Sequence, residues 1–196
     1  MSEITDSILR KARESADLKL QFFDQNAELI ERCVVDLAAR FRRGGHLWVM
    51  GNGGSACDAQ HVAVEFLHPI IEKRKALPAS ALTADSAIIT AIGNDTDFSH
   101  VFARQLDLLA RPDDSVLGIS TSGASANVTR ALKRGRELKL LSIGFAGRDG
   151  GRLPEVCDYC FTVKSWSIHR IQETHTVLLH LLWDLVHVAL GEDDVL

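Results

Sequence analysis

The stretch from His46 to Glu65 constrains this chain more than any other part of the sequence. It begins with a short apolar run, residues 47–50, which predicts a buried strand. A glycine-rich turn follows at residues 51–54, and from about Ala56 the pattern predicts a helix. Glycines let the backbone approach a ligand closely, and a helix N-terminus presents free N–H groups. This order of elements therefore predicts an anion site at the end of a strand.

A second feature of the same helix is a histidine and a carboxylate one turn apart. His61 and Glu65 are four residues apart, which makes them neighbours on the helix surface. Gln172 and His180 are two turns apart on the predicted last helix, on roughly the same face. Imidazole with carboxylate suits zinc. A histidine and a glutamate at this spacing are, however, more often solvated or hydrogen-bonded within the core without a metal. We interpret the nearby Asp58 as a helix-start residue.

The rest of the chain alternates short apolar runs with helical patterns, as doubly wound α/β proteins do. Its 196 residues fit one domain. The sequence predicts a mainly five-stranded parallel sheet flanked by helices, with a final helix from about Arg170 to Leu190. The predicted strands cover residues 47–50, 79–82, 115–119, 140–145 and 159–163.

The N-terminal segment, residues 1–43, has a helical apolar stripe from about Ile4 to Phe41. Asp24-Gln25-Asn26 predicts a break between two helices. Because an apolar stripe must be buried somewhere, we expect this segment to pack against another subunit.

A second polar turn, STSGAS, follows the third predicted strand and precedes a helix. Its four hydroxyls suit a phosphate dianion, and they belong to Ser120, Thr121, Ser122 and Ser125. A helix N-cap with spare serines is the alternative. Two polar turns at matching strand ends favour a phosphate site, since ligands of such sheets bind there. Neither a nucleotide P-loop pattern nor the dinucleotide-binding glycine spacing occurs.

Composition excludes several classes of protein. A net charge of −4 gives no reason to expect nucleic acid as the main partner. The polar N-terminus lacks a signal core, and the longest apolar stretch, 177–190, is interrupted by polar residues, so we expect no membrane segment. Four cysteines in a chain of this length make no disulfide framework. We therefore expect a cytoplasmic, reduced protein.

Four smaller features have competing interpretations. Cys157 and Cys160 form a CxxC motif, which could supply two of the ligands of a metal site or act as a redox pair. We favour two buried free thiols. We expect Glu173 in an ion pair or interface and His187 at the surface or an interface. The basic run 73–75 predicts a solvated loop, one side chain of which could reach an anionic substrate.

Five motifs taken together resemble the phosphosugar-isomerase (SIS) domain family, in the same order and spacing from about residue 44 to residue 187. They are GNGGSACDAQHVAVEF, AIGNDTDF, GISTSGASANV, GFAGRDGG and RIQETH. The resemblance is to the branch of the family that isomerises heptose phosphates. It implies a flavodoxin-like fold and a homotetramer with active sites at subunit interfaces.

The resemblance also implies a reaction, the interconversion of sedoheptulose 7-phosphate and D-glycero-D-manno-heptopyranose 7-phosphate for heptose synthesis, with one zinc per subunit. The implied phosphate ligands are Ser55, Ser120, Thr121, Ser122 and Ser125. The implied sugar contacts are Asn52, Gly53, Gly54, Asn94 and Asp95, together with Glu65 and Gln172. The implied zinc ligands are His61, Glu65, Gln172 and His180, of which Glu65 and His180 would also transfer protons.

One departure from the family pattern affects the substrate prediction. Members often carry an arginine four residues after the glutamate, where this chain has Pro69. His68, Lys73 or Arg74 could replace that arginine, or the sugar could differ. The alternatives are therefore an isomerase for another phosphosugar, a sugar-phosphate sensor, or a non-catalytic relative that binds the bacterial replication initiator.

Overall fold

A parallel five-stranded sheet forms the centre of the molecule. The computed structural model describes residues 2–70 and 74–194. The strand order is β2-β1-β3-β4-β5 and every neighbouring pair is parallel, which confirms the predicted fold class. The strands are β1 Leu47–Gly51, β2 Ala79–Ala81, β3 Ser115–Ser120, β4 Leu141–Gly147 and β5 Tyr159–Val163.

Helices cover both faces of this sheet. They are α1 Glu3–Arg42, α2 Gly54–Leu67, α3 Ser86–Asp95, α4 Ala103–Leu109, α5 Ala126–Glu137, α6 Leu153–Val156 and α7 Ile168–Ala189, with a 3₁₀ turn at Phe98–His100. Helices α1, α2 and α7 pack on one face, and α3 to α6 pack on the other. Strands β3 and β4 are buried along their whole length. Because helices cover both faces of these strands, their sequences are mostly apolar without alternation.

The predicted break in the N-terminal helix is wrong. Helix α1 runs unbroken through Asp24-Gln25-Asn26, and the Asn26 amide donates to the Phe22 carbonyl at 2.7 Å within the helix. The residues that keep it continuous are buried in the core below it, and include Phe22, Ile30 and Leu37. Packing of this stripe outweighs the local preference of Asp and Asn for turns.

Two predictions near the C-terminal end of α7 are also wrong. Arg74, expected in a solvated loop, is buried in an ion pair with Asp184, and its guanidinium lies 4.6 Å from the ring centroid of Trp183. His187, expected at the surface or an interface, is buried within the chain, where its Nδ1 lies 3.1 Å from Glu192 Oε2. Lys73 lies outside the described residues.

Every helix in the described part of the chain is too short or too polar to cross a membrane.

Candidate active site

The two polar turns predicted from the sequence lie side by side. Strands β1 and β3 are neighbours, with Gly51 opposite Ile119, so their carboxyl ends bring residues 52–55 and 120–125 to the same edge of the sheet. Gly53 has a φ of +56°, which favours glycine. A Cβ on Gly51 would overlap the backbone of Ser55. The first turn is therefore tight because its glycines leave room for the start of α2.

Helix α7 crosses directly over this glycine turn. A Cβ built on Gly54 would overlap the side-chain amide of Gln172. The missing side chain at position 54 thus lets α7 bring Gln172 against the N-terminus of α2. The structure therefore places these two predicted site residues together, although 118 positions separate them in the sequence.

The hydroxyl loop brings two other serine side chains close to Ser120. The Ser120 Oγ lies 2.9 Å from Ser125 Oγ and 3.5 Å from Ser122 Oγ. Ser125 is the N-cap of α5, yet its side chain makes no capping hydrogen bond to that helix. This geometry disagrees with the alternative of an ordinary N-cap with spare serines. It leaves the first N–H groups of α5 without a side-chain partner from Ser125.

A second glycine turn, residues 147–151, packs against the backbone of the hydroxyl loop. Gly123 has a φ of +64°, and a Cβ there would overlap the carbonyl of Gly150. The Arg152 N–H donates to the Gly123 carbonyl at 2.9 Å. The GFAGRDGG motif therefore holds the shape of the loop through backbone contacts.

Helices α2 and α7 bring together a histidine, a carboxylate and a second histidine. The Nε2 of His61 lies 3.2 Å from Glu65 Oε1 and 3.3 Å from the Nε2 of His180. The three ligand atoms all lie within 4.8 Å of one another. Tetrahedral zinc with bonds of about 2.0–2.1 Å separates its ligand atoms by about 3.3 Å. The three residues therefore fit such an ion.

The electrostatics of the cluster favour a neutral histidine. Partial burial, and then the nearby His61, lower the pKa of His180, while Glu65 opposes the shift. A neutral imidazole keeps the lone pair that a metal ligand or proton acceptor needs. Burial raises the pKa of Asp58, one turn before His61, and His61 partly opposes that shift.

Asn94 and Asp95 are not joined to the rest of the site. They lie exposed at the end of α3, and the Asn94 amide donates to the Asp95 carboxylate at 2.8 Å. Within residues 2–70 and 74–194, no hydrogen bond links either side chain to the other candidates. One buried polar residue beside the two loops, Asn127, was not predicted as a site residue, although its position just after STSGAS is a signal in the sequence.

Two structural predictions outside the site agree with the structure. Glu173 forms an ion pair with Arg170 and accepts a hydrogen bond from Ser15 at 2.5 Å. Cys157 and Cys160 are free thiols as predicted, but only Cys157 is buried, with its Sγ 2.9 Å from the Leu153 carbonyl; Cys160 is half-buried.

The family model described as "SIS domain" matches residues 12–147. A phosphoheptose isomerase of Desulfovibrio desulfuricans is 45% identical over 188 residues, covering 96% of this chain and 90% of the relative. One of Aquifex aeolicus is 44% identical, covering 92% and 94%.

Solved structures give the same result. A phosphoheptose isomerase from Francisella tularensis matches with a TM-score of 0.89 and 34% identity, covering 96% of this chain and all of the other. The one from Neisseria gonorrhoeae matches with a TM-score of 0.85 and 36% identity, covering 93% and 98%. Sequence, architecture and the two loops at one sheet edge agree, and this chain belongs to the SIS domain family.

Proposed function

We propose that this chain is a ketose–aldose isomerase that interconverts sedoheptulose 7-phosphate and D-glycero-D-manno-heptopyranose 7-phosphate. The observation that carries the proposal is the meeting of Glu65 and His180 around His61, beside two loops suited to a phosphate. Its relatives at more than 40% identity over most of the chain are phosphoheptose isomerases.

The proposed reaction needs a base and an acid at the sugar end of the substrate. Isomerisation moves a proton between C1 and C2 through an enediol, so one group must take the carbon proton and another must serve the oxygens. We assign the carbon proton to Glu65. We assign the oxygen proton to His180, whose lowered pKa keeps it neutral and able to accept one near pH 7.

A zinc ion fits the same residues. His61, Glu65 and His180 would hold it, with Gln172, which lies over Gly54, as the fourth ligand. Bound there, zinc would stabilise negative charge on the enediolate oxygens. Glu65 and His180 would act as ligands and as proton carriers at different stages of turnover, because an atom bound to zinc cannot take a proton. His61 would only bind the ion.

The two loops would bind the remainder of the substrate. We assign the phosphate to the hydroxyls and N–H groups of Ser55, Ser120, Thr121, Ser122 and Ser125. We assign the sugar contacts to Asn52, Gly53, Gly54, Asn94 and Asp95, together with Glu65 and Gln172. Asn94 and Asp95, which are exposed here, would then meet the sugar of a neighbouring subunit.

Such a shared site requires an oligomer, and we propose a homotetramer of single-domain chains spanning residues 1–196. Helix α1 exposes apolar side chains that a partner would cover: Ile4 is 73% exposed, Ile8 60% and Leu20 71%.

Free cysteines fit a reducing compartment, and we place the protein in the cytoplasm. Its product would feed heptose synthesis for surface polysaccharides such as lipopolysaccharide.

The second candidate is an isomerase for another phosphosugar, which Pro69 favours. Arg74 cannot replace the missing arginine, since it is buried against Asp184. The exposed His68 remains a candidate among the described residues. A non-catalytic relative that binds the replication initiator is disfavoured, because the full acid–base set is present and converges.

The test is a coupled assay of the purified protein with zinc on several ketose phosphates. We expect turnover of sedoheptulose 7-phosphate in both directions, and we expect Glu65→Gln to abolish it while the thermal unfolding midpoint of the metal-free protein stays unchanged. Glu137→Gln makes the same chemical change at a surface ion pair and serves as the matched control. Turnover of only hexose or pentose phosphates would reject the heptose assignment, and no turnover of any would reject the isomerase.

A further inference from the structure

We propose that Asn127 is a positioning residue for substrate binding, which acts by holding the amide of Asn52 in one orientation. The inference rests on the proposed function, because it concerns the same sugar-phosphate site. Asn127 is buried in the first turn of α5, two residues after the last serine of the hydroxyl loop. Asn52 follows β1 in the glycine turn.

The two side chains form a reciprocal pair of hydrogen bonds. The Asn52 amide nitrogen donates to Asn127 Oδ1 at 2.9 Å, and the Asn127 amide nitrogen donates to Asn52 Oδ1 at 2.8 Å. They are the only side-chain hydrogen bonds joining the two loops in the described part of the chain. The pair therefore links the turn that starts α2 with the turn that starts α5.

The orientation of both amides follows from one backbone contact. The Val128 N–H, which can only donate, lies 2.9 Å from Asn127 Oδ1. This contact identifies the oxygen of Asn127 and so places its nitrogen toward Asn52. Asn52 must then present its nitrogen to that oxygen, because the reverse orientation would bring like atoms together.

The same arrangement leaves part of Asn52 free for a ligand. An asparagine side chain has two N–H donors and an oxygen with two lone pairs. Asn127 uses one donor and one lone pair of Asn52, whose side chain is only half-buried. One N–H and one lone pair therefore remain, in directions that Asn127 fixes, and binding a sugar costs less when its partner is already oriented.

Loss of the pair is expected to weaken substrate binding rather than the chemical step. Asn127 is not assigned to the reacting carbons, and Glu65 and His180 lie on α2 and α7. We expect Asn127→Ala to raise the KM for sedoheptulose 7-phosphate by about 10- to 100-fold, the range of one to two oriented hydrogen bonds. The kcat should change by less than about threefold.

The test is a double-mutant cycle of Asn52→Ala and Asn127→Ala. If Asn127 acts through Asn52, adding Asn127→Ala to Asn52→Ala changes KM no further, so the two effects are strongly non-additive. Asn127→Ser is the second variant, since it keeps an oxygen for the Val128 N–H but is too short to pair with Asn52. It should show the same rise in KM with little loss of stability.

Gln105→Ala separates positioning from stability. Gln105 is a buried amide on α4 that bonds the Leu82 and Val101 carbonyls, away from both loops. We expect it to lower the thermal unfolding midpoint without changing KM. Additive effects in the cycle, or unchanged KM in both Asn127 variants, would overturn the proposal.

Calorimetric titration with sedoheptulose 7-phosphate distinguishes this inference from the proposed function. If the wild-type protein binds the sugar but does not turn it over, the proposed isomerase function is wrong. The double-mutant cycle of Asn52→Ala and Asn127→Ala can then still be measured from the dissociation constants. Wild-type protein that neither binds nor turns over the sugar rejects both.

Discussion

The Nε2 atoms of His61 and His180 lie 3.3 Å apart, although 119 positions separate the two residues in the chain. Glu65 Oε1 is 3.2 Å from the same His61 nitrogen. Two imidazole nitrogens that face each other at this distance require a proton or a cation between them, because two lone pairs repel. A neutral histidine with its proton on Nε2 would supply that proton, whereas a metal ion would bind both lone pairs and the Glu65 oxygen at once, so the arrangement suits a bound metal.

The first prediction concerns that metal. We expect the purified protein to bind one zinc per chain, and His180→Ala to weaken binding by more than about 100-fold, beyond the 10- to 100-fold typical of an outer-shell change. Competition with a chromophoric chelator measures the affinity. His169→Ala removes an exposed histidine from the same helix and is the control. Equal affinity in His180→Ala and wild type would contradict the assignment.

The second prediction concerns the hydroxyl loop. Ser122→Ala removes one neutral donor from the proposed phosphate site, and a hydrogen bond to a charged group contributes about 1.5–3 kcal/mol. We expect KM to rise roughly 10- to 100-fold with kcat nearly unchanged, because the phosphate is bound equally in ground and transition states. Inhibition by inorganic phosphate should weaken in parallel. A fall in kcat at constant KM would place Ser122 in the chemistry instead.

Local sequence patterns predicted the sheet and both loops well. Each buried strand is a short apolar run bounded by turn residues, and parallel strands bring their carboxyl ends to one edge. His61 and Glu65 were predictable as neighbours because four residues make about one helical turn. These predictions needed only the spacing of residues along the chain.

What the sequence could not predict depends on contacts between distant elements. The continuity of α1 through Asn26 comes from packing of its stripe on the sheet and α7. The burial of Arg74 comes from Asp184, 110 residues away. Asn127 resembles any polar residue in a first helical turn until Asn52 is seen beside it. No local pattern encodes such pairs.

The third prediction concerns the buried ion pair of Arg74 and Asp184, whose side chains are 2% and 5% exposed. Arg74→Met leaves the Asp184 carboxylate buried without a partner, which typically costs about 3–5 kcal/mol. Adding Asp184→Leu should restore most of that stability, since an apolar pair of similar size is often neutral. Urea unfolding measures both free energies.

The same variants test whether Arg74 contacts the substrate. Because its side chain is buried and paired, we expect Arg74→Met to leave the KM for sedoheptulose 7-phosphate unchanged at a temperature where the variant is folded. A raised KM with unchanged unfolding free energy would instead support Arg74 as the replacement for the arginine that Pro69 displaces.

The fourth prediction concerns pH and His175. This histidine is fully buried against the end of β4, where its Nε2 lies 3.0 Å from the Ala146 carbonyl, so that nitrogen must donate. Burial lowers its pKa from 6.5 to about 4, while the bond to Ala146 opposes the shift. The folded state therefore disfavours the charged form, and the unfolded chain takes up the proton first as the pH falls.

The resulting stability is fully present above pH 6.5 and is lost as the pH falls toward 4, by about 3 kcal/mol at most. His175→Gln keeps an N–H for Ala146 but does not titrate, so its unfolding free energy should fall less over that interval. Urea unfolding of both proteins from pH 7 to pH 4 measures the difference in their unfolding free energies. A chelator is present so that metal release does not contribute. Other titrating carboxylates affect both proteins equally and cancel in the difference. His169→Gln, at an exposed histidine, should track the wild type. Parallel curves for wild type and His175→Gln would show that burial does not lower the pKa of His175, and would contradict the prediction.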